Sequence, residues 1–280
     1  MTPTRRMHLS GLFIYPVKSL RGCALPSASV DDLGLVGDRR FLVIEPGGRF
    51  LTQRTLPRMA LIDTALSADA LTLSASGAAA ISVPRASDPV APLRTVSVWK
   101  SEGLLAEDCG DAAAAWLSDF LASPCRLVRA GAAFRRPVNK PGRALPDDVT
   151  SFADAQPFLV ISQASLDDLN DRLVARGEEA LPMNRFRPNL VISGATPFAE
   201  DTWPRFRLGD IVFRAGGPCA RCIVTTTDQL TAERGKEPLR TLATYRRDPE
   251  DSSDINFGQN LYHETKRGTL HVGDRVELVG

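Results

Sequence analysis

Phe41-Leu42-Val43-Ile44-Glu45-Pro46-Gly47-Gly48-Arg49-Phe50-Leu51-Thr52-Gln53 sets two short apolar runs on either side of a Pro-Gly-Gly turn. Such runs fit a half-buried pleated surface, and the turn residues supply the backbone freedom that a hairpin needs. The pattern continues outward in both directions. Leu9 to Tyr15 is a short apolar strand upstream. Downstream, Met59 to Ser67 and Leu71 to Ser76 flank Ala68-Asp69-Ala70 as another hairpin, and Val96-Ser97-Val98-Trp99 follows. Short strands at this density predict a barrel or sandwich.

Asp111 to Ala122 breaks the β pattern. Trp116, Leu117, Phe120 and Leu121 recur there at helical spacing, and Ser123-Pro124 ends the helix. After a strand at Cys125 to Val128, the irregular stretch from Gly131 to Gln156 is longer than a passive connection needs to be. Pro157 to Ile161 reads as a buried strand. A helix follows with Ser165 as N-cap, Leu166, Leu169, Leu173 and Val174 as its buried face, and Gly177 as its stop. Strands are expected at Asn189 to Ile192, Asp210 to Phe213, Cys222 to Thr227 and Leu270 to Leu278, with a short helix from Pro238 to Tyr245. The fold class is therefore mainly β (α+β). Two β-rich domains are expected, 1–124 and 125–280, with the first strands free to pack against the second half.

A chain of 280 residues with 43% hydrophobic and 24% charged residues has the composition of a soluble globular protein. A net charge of +1 gives no basic field for nucleic acid. No stretch approaches the ~20 apolar residues of a membrane span. The N-terminus lacks the apolar core of a signal peptide. The five cysteines Cys23, Cys109, Cys125, Cys219 and Cys222 are odd in number and irregular in spacing, which argues against a disulfide framework and for a reducing, cytoplasmic setting.

The segment Gly216-Gly217-Pro218-Cys219-Ala220-Arg221-Cys222-Ile223-Val224-Thr225-Thr226-Thr227-Asp228 carries the most chemistry. An arginine between two cysteines favours thiolate, the form that binds metal. A strand following at once would hold that sulfur in a fixed direction. Three other readings stand beside this one. The pair is half of a zinc site, whose remaining ligands would have to come from scattered cysteines and His8, His263 or His271. It is a redox pair without the usual βαβ context. Or it is two buried structural cysteines of a β core.

Lys18 and Ser19 lie at the end of the first strand, Arg39 at the start of another, and Arg185, Arg187 and Asn189 just ahead of a third. Each is a solvated surface group if taken alone. Together at strand edges they suit a phosphate or other anion. The segments Tyr-Pro-Val-Lys-Ser-x-x-Gly, Gly-Asp-Arg, Asn-Arg-Phe-Arg-Pro-Asn-Leu-Val-Ile-Ser-Gly, Pro-Cys-Ala-Arg-Cys and Lys-Glu-Pro-Leu-x-Thr-Leu-x-x-Tyr-Arg occur here in that order. Phe257-Gly258-Gln259-Asn260 and Val272-Gly273-Asp274 come after them. From Leu9 to Leu278 the chain resembles the MOSC family with its N-terminal β-barrel domain, including the amidoxime-reducing branch.

The resemblance implies a MOSC β-barrel with a few peripheral helices, and a molybdenum-molybdopterin cofactor (Moco). It implies Cys222 as metal ligand and catalytic centre. Lys18, Ser19, Arg39, Asp154, Arg187, Asn189, Arg221 and Cys222 match the family's cofactor-binding positions. Ala155 and Gln156 stand where hydroxyl residues are expected, and Asn260 stands where relatives can carry an aromatic. The implied activity is reduction of small N-hydroxylated compounds: amidoximes, hydroxylamines and N-hydroxylated bases. His263 is a candidate proton donor, set against its reading as a surface histidine. The chain runs two residues past its last strand with no further cysteine cluster. Electrons are therefore expected from a separate protein of ferredoxin, flavodoxin or cytochrome b5 type. The alternative is a cofactor or sulfur carrier without turnover; the lack of a pyridoxal domain ahead of the barrel argues against a complete cofactor sulfurase.

Overall fold

Strands dominate the computed structural model, which describes residues 6–140 and 142–279. Its largest sheet has eight strands, in the order Val276–Leu278, Arg205–Leu208, Ile211–Ala220, Asn256–His263, Phe158–Ser162, Leu190–Ser193, His8–Ile14 and Cys23–Ala24. Phe158–Ser162 and Leu190–Ser193 run parallel, and their connection is the helix Gln163–Val174. His8–Ile14 is antiparallel to Leu190–Ser193, and Ser27–Asp31 pairs with Gly268–His271, so the first strands pack with the last part of the chain. Leu9, Leu12 and Ile14 share a core with Phe158, Phe206, Phe213 and Leu261. A four-stranded sheet joins Phe41–Ile44, Arg126–Arg129, Ser101–Asp108 and Leu93–Val98, and a meander joins Asp63–Leu66, Ala70–Ala75 and Ala78–Pro84. The helix Asp111–Leu121 closes the core beside that meander with Ala113, Leu117 and Phe120.

Several local expectations are corrected. Residues 50–53 make no strand. Phe50 forms one bridge to Ile44, and then Thr52 captures the backbone: its hydroxyl accepts from Arg54 N at 3.1 Å and its carbonyl from Leu56 N at 2.9 Å. Pro57 starts a 3-10 turn, Pro57–Leu61, so the strand expected from Met59 shrinks to Asp63–Leu66. Ser162 caps the helix Gln163–Val174 in place of Ser165, whose hydroxyl instead reaches the buried Glu200; Val174 is 61% exposed. Gly273, at φ +103°, breaks the last expected strand into Gly268–His271 and Val276–Leu278.

The most consequential correction concerns the β-branched run after Cys222. The strand precedes it, as Ile211–Ala220, and Ile223–Thr226 is a 3-10 turn. The hydroxyls of Thr225 and Thr226 donate back to the carbonyls of Cys222 and Ile223, at 3.0 and 2.8 Å. Those local bonds compete with ladder pairing and override β propensity.

His263 is neither a surface group nor part of the main cleft. It is 1% exposed, with Nε2 2.6 Å from the carbonyl of Asp31 and its ring edge-on to Phe158. Burial pushes its pKa down to about 4. The unfolded chain binds this proton near 6.5 and the folded chain only near 4, so the site's contribution to stability is lost as pH falls through that window. Melts across the window are expected to show a drop of up to about 3 kcal/mol from this group. A His263→Gln variant should flatten that segment of the profile.

Candidate functional site

Five chain segments meet around one cleft of about 510 Å³, and all eight residues expected to bind a cofactor line it. Lys18 and Ser19 follow the strand His8–Ile14, and Arg39 precedes Phe41–Ile44. Asp154 ends the long loop, Arg187 and Asn189 precede Leu190–Ser193, and Arg221 and Cys222 follow Ile211–Ala220. Ser19, Arg39 and Arg187 have left-handed backbones, at φ +68°, +46° and +56°. Non-glycine residues pay of order 1 kcal/mol or more for this and keep it only where surrounding bonds over-determine it, commonly at functional sites. Here Arg39 N donates to Tyr15 O at 2.8 Å, and Arg39 O accepts from Phe152 N at 3.0 Å.

The cations differ in what they already hold. Arg39 donates to both oxygens of buried Asp38, to Asn189 Oδ1 and to the carbonyl of Arg187. The Asn189 amide is likewise engaged, donating to Phe13 O at 3.1 Å. These two brace the cleft wall. Arg187 is different: among the described residues its guanidinium makes no hydrogen bond or ion pair, and only stacks on Tyr15 with Cζ 4.2 Å from the ring centroid. Burial pushes its pKa down to about 10. Ser19 Oγ also lacks a partner among the described residues.

Lys18 is 5% exposed, donates to Phe152 O at 2.8 Å and pairs with Asp154. Burial pulls its pKa down to about 8 against the opposing charge of Asp154. Burial works to raise the Asp154 carboxyl, but the charges of Lys18 and Arg54 outweigh it and hold the group well below the usual carboxylate range. Cys222 caps the 3-10 turn from an extended backbone, φ −120° and ψ 177°, with its sulfur 3.0 Å from Arg54 Nη2. Cys219 is half-buried with its sulfur 2.9 Å from Arg221 Nη1, while Arg221 Nη2 donates to Phe186 O at 2.7 Å. The cleft thus combines a fixed thiol, an unpartnered guanidinium and a proton-exchanging lysine.

The MOSC N-terminal beta barrel domain model matches residues 6–124 and the MOSC domain model matches residues 147–277. Mitochondrial amidoxime-reducing component 1 of Homo sapiens is 38% identical, covering 99% of this chain and 87% of that protein. The chain belongs to the MOSC family. Mitochondrial amidoxime reducing component 2 of Bos taurus is 35% identical over 98% of this chain and 85% of its own length. Molybdenum cofactor sulfurase of Danio rerio is 37% identical over 94% of this chain but only 33% of that protein.

Three residues at or behind this MOSC cleft were not anticipated, of which Arg54 lines it. Arg54 reaches Cys222 from the turn that replaces the expected strand at 50–53. Trp99 stacks on Arg54 and donates to Asp154 Oδ1 at 3.1 Å. Arg136, 4% exposed, donates to the carbonyls of Ser151, Ala153 and Asp154 and so shapes the end of the long loop. An arginine inside an irregular, proline-rich stretch was the one available signal. Gln156, in place of a hydroxyl residue, turns its amide to Gly216 O at 3.2 Å. Asn260 donates to Pro218 O at 3.1 Å.

The lowered pKa of Lys18 predicts that any anion binding in this cleft depends on pH. Its ammonium is fully charged well below pH 8 and is lost as pH rises through about 8, about two units before an exposed lysine. Sulfate, which does not titrate in this range, is expected to bind the ligand-free protein evenly from about pH 6.5 to about 7.5 and more weakly above about pH 8. Calorimetry on Lys18→Met should show weak binding at every pH.

Proposed function

We propose that this protein uses a molybdenum-pterin cofactor to reduce N-hydroxylated compounds with electrons from a separate donor protein. The observation that carries the reading is the isolation of the Cys222 thiol at a cation-lined cleft. Among the described residues no group of three or more His, Cys, Asp or Glu side chains is placed to hold a metal ion. A metal at Cys222 must therefore arrive with its own ligands, as a dithiolene-bound metal does, and a soft thiolate suits it. The polar inventory fits the rest of such a group. Among the described residues Arg187 and Ser19 offer unpartnered donors for a phosphoryl tail, and the buried Arg221 Nε and Gln156 Oε1 lack partners.

In this reading the bound cofactor supplies two-electron oxygen abstraction from nitrogen, and the protein supplies position and charge. Lys18, Arg187 and Ser19 hold the phosphate. Arg39 and Asn189 brace the Arg187 backbone. Cys222 would anchor the metal from the junction between the strand Ile211–Ala220 and the 3-10 turn Ile223–Thr226. The cleft admits a small substrate past the long loop, whose Lys140, Arg143 and Gln156 line it. The balanced change is N–OH plus two electrons and two protons giving N–H and water. No helix among the described residues is long and apolar enough to cross a membrane.

The test is conversion of benzamidoxime to benzamidine by cofactor-loaded protein with a viologen donor. Turnover in the wild type and loss of at least a hundredfold in Cys222→Ala support the reading. Cofactor bound without turnover favours the alternative, a cofactor or sulfur carrier.

A further inference from the structure

Binding and reduction as proposed leave Arg54 without a role. Arg54 lies in the tight turn after Thr52, on the half of the chain opposite the cysteine segment. Its Nη2 is 3.0 Å from the Cys222 sulfur, while the nearest carboxylate oxygen, on Asp154, is 3.7 Å away. A guanidinium with a carboxylate in reach normally closes on it as a fork. This one is drawn to sulfur instead.

Its surroundings keep it there. Its side chain is only 26% exposed, and the Trp99 ring covers one face at 4.4 Å. Trp99 is fixed in turn by its bond to Asp154, by the edge of Phe50 at 4.9 Å and by a left-handed backbone at φ +55°. Asp154 is pinned by Lys18, and its carbonyl by Arg136. The Arg54 carbonyl receives Arg234 Nη2 at 2.7 Å. Trp99 and Asp154 thus hold the guanidinium beside the sulfur, while Arg234 fixes the Arg54 backbone.

We propose that Arg54 is a positioning residue for the Cys222 sulfur, clamped by Trp99 and Asp154, and that its hydrogen bond tunes the metal through that sulfur; this role rests on Cys222 being the metal ligand. A cationic donor withdraws electron density from a ligating sulfur, which favours the reduced metal. The planar fork matters as well as the charge, because lysine cannot both stack on Trp99 and reach the sulfur.

The experiment compares wild type, Arg54→Gln, Arg54→Lys and Trp99→Phe. In loaded protein, Arg54→Gln should shift the metal's midpoint potential negative, alter its paramagnetic resonance g-values, and lower kcat about tenfold with KM changed less than twofold. Arg54→Lys should fall between, and Trp99→Phe should move the same way by less. In ligand-free protein, Arg54→Gln and Cys222→Ala should each shift Trp99 emission, with Trp99→Phe as the blank; this arm stands even if the wild type takes up no molybdenum, a result that would defeat the functional reading alone. Unchanged potential and resonance in folded Arg54→Gln would overturn the proposal. So would failure of that variant to take up the cofactor, which would make Arg54 a cofactor ligand, or unshifted emission in both ligand-free variants. Should Arg54→Gln fail to fold, Trp99→Phe and Arg54→Lys carry the same comparisons.

Discussion

Arg187→Met will raise the melting temperature of the ligand-free protein while weakening its hold on the cofactor by ten- to a hundredfold. The two effects have one cause. Arg187 keeps a half-buried guanidinium that makes no ion pair among the described residues, and burial already pushes its pKa down to about 10. A partly desolvated cation without an ion pair opposes folding, so a methionine of similar length relieves the fold. A charge-assisted bond to phosphate contributes about 1.5–3 kcal/mol, which sets the size of the loss on binding. Melting curves with and without sulfate, together with cofactor retention on gel filtration, measure both halves. A variant that loses stability and keeps its cofactor would remove Arg187 from the binding set. The trade of stability for function is expected where a site is built before its ligand arrives.

Arg129→Ala will cost about 3–5 kcal/mol, a lowering of the melting temperature by roughly 10 °C. Arg129 and Glu107 face each other across paired strands, each side chain 5% exposed, with Nη2 to Oε2 at 2.6 Å. Arg129 also donates to Pro84 O at 2.8 Å, and Glu107 accepts from Ser87 and from the backbone of Asp88 and Ala132. Gly131 lies so close that a Cβ there would stand 1.6 Å from the carboxylate, so the pocket is shaped around it. Burial works to raise the Glu107 carboxyl, but these hydrogen bonds outweigh it and hold it below its ordinary value. Its contribution is therefore present above the unfolded value near 4.5 and is lost as pH falls through the folded value. Glu107→Leu combined with Arg129→Met should recover much of the loss, because no charge is then left buried alone. Denaturation of the single and double variants decides the matter; equal losses would mean that shape, not charge, holds these strands together.

The β architecture was legible because alternation and turn residues are local signals, and the strands at Leu9, Phe41, Val96 and Phe158 stand where those signals put them. The run Ile223 to Thr226 was misread for a physical reason. β-branching favours a strand only when a partner edge is available, and here threonine hydroxyls close the backbone on itself. Ser165 was misassigned because Ser162, three residues earlier, carries the same chemistry and wins the cap. The eight cleft residues were found through ordered motifs rather than through periodicity, and the fold brings all eight to one cavity. Arg54 and Trp99 were invisible because neither sits in a motif: their role depends on a tertiary closure that carries a turn from one half of the chain onto a sulfur from the other. His263 shows the converse, a residue attractive by chemical type that the fold buries away from the cleft.

Molybdenum K-edge absorption on loaded protein tests the assignment of Cys222 most directly, because it counts the sulfur atoms on the metal. One molybdenum per chain is expected, with three sulfur neighbours in the wild type and two or no bound metal in Cys222→Ala. Full metal occupancy with an unchanged sulfur shell in that variant would contradict the assignment.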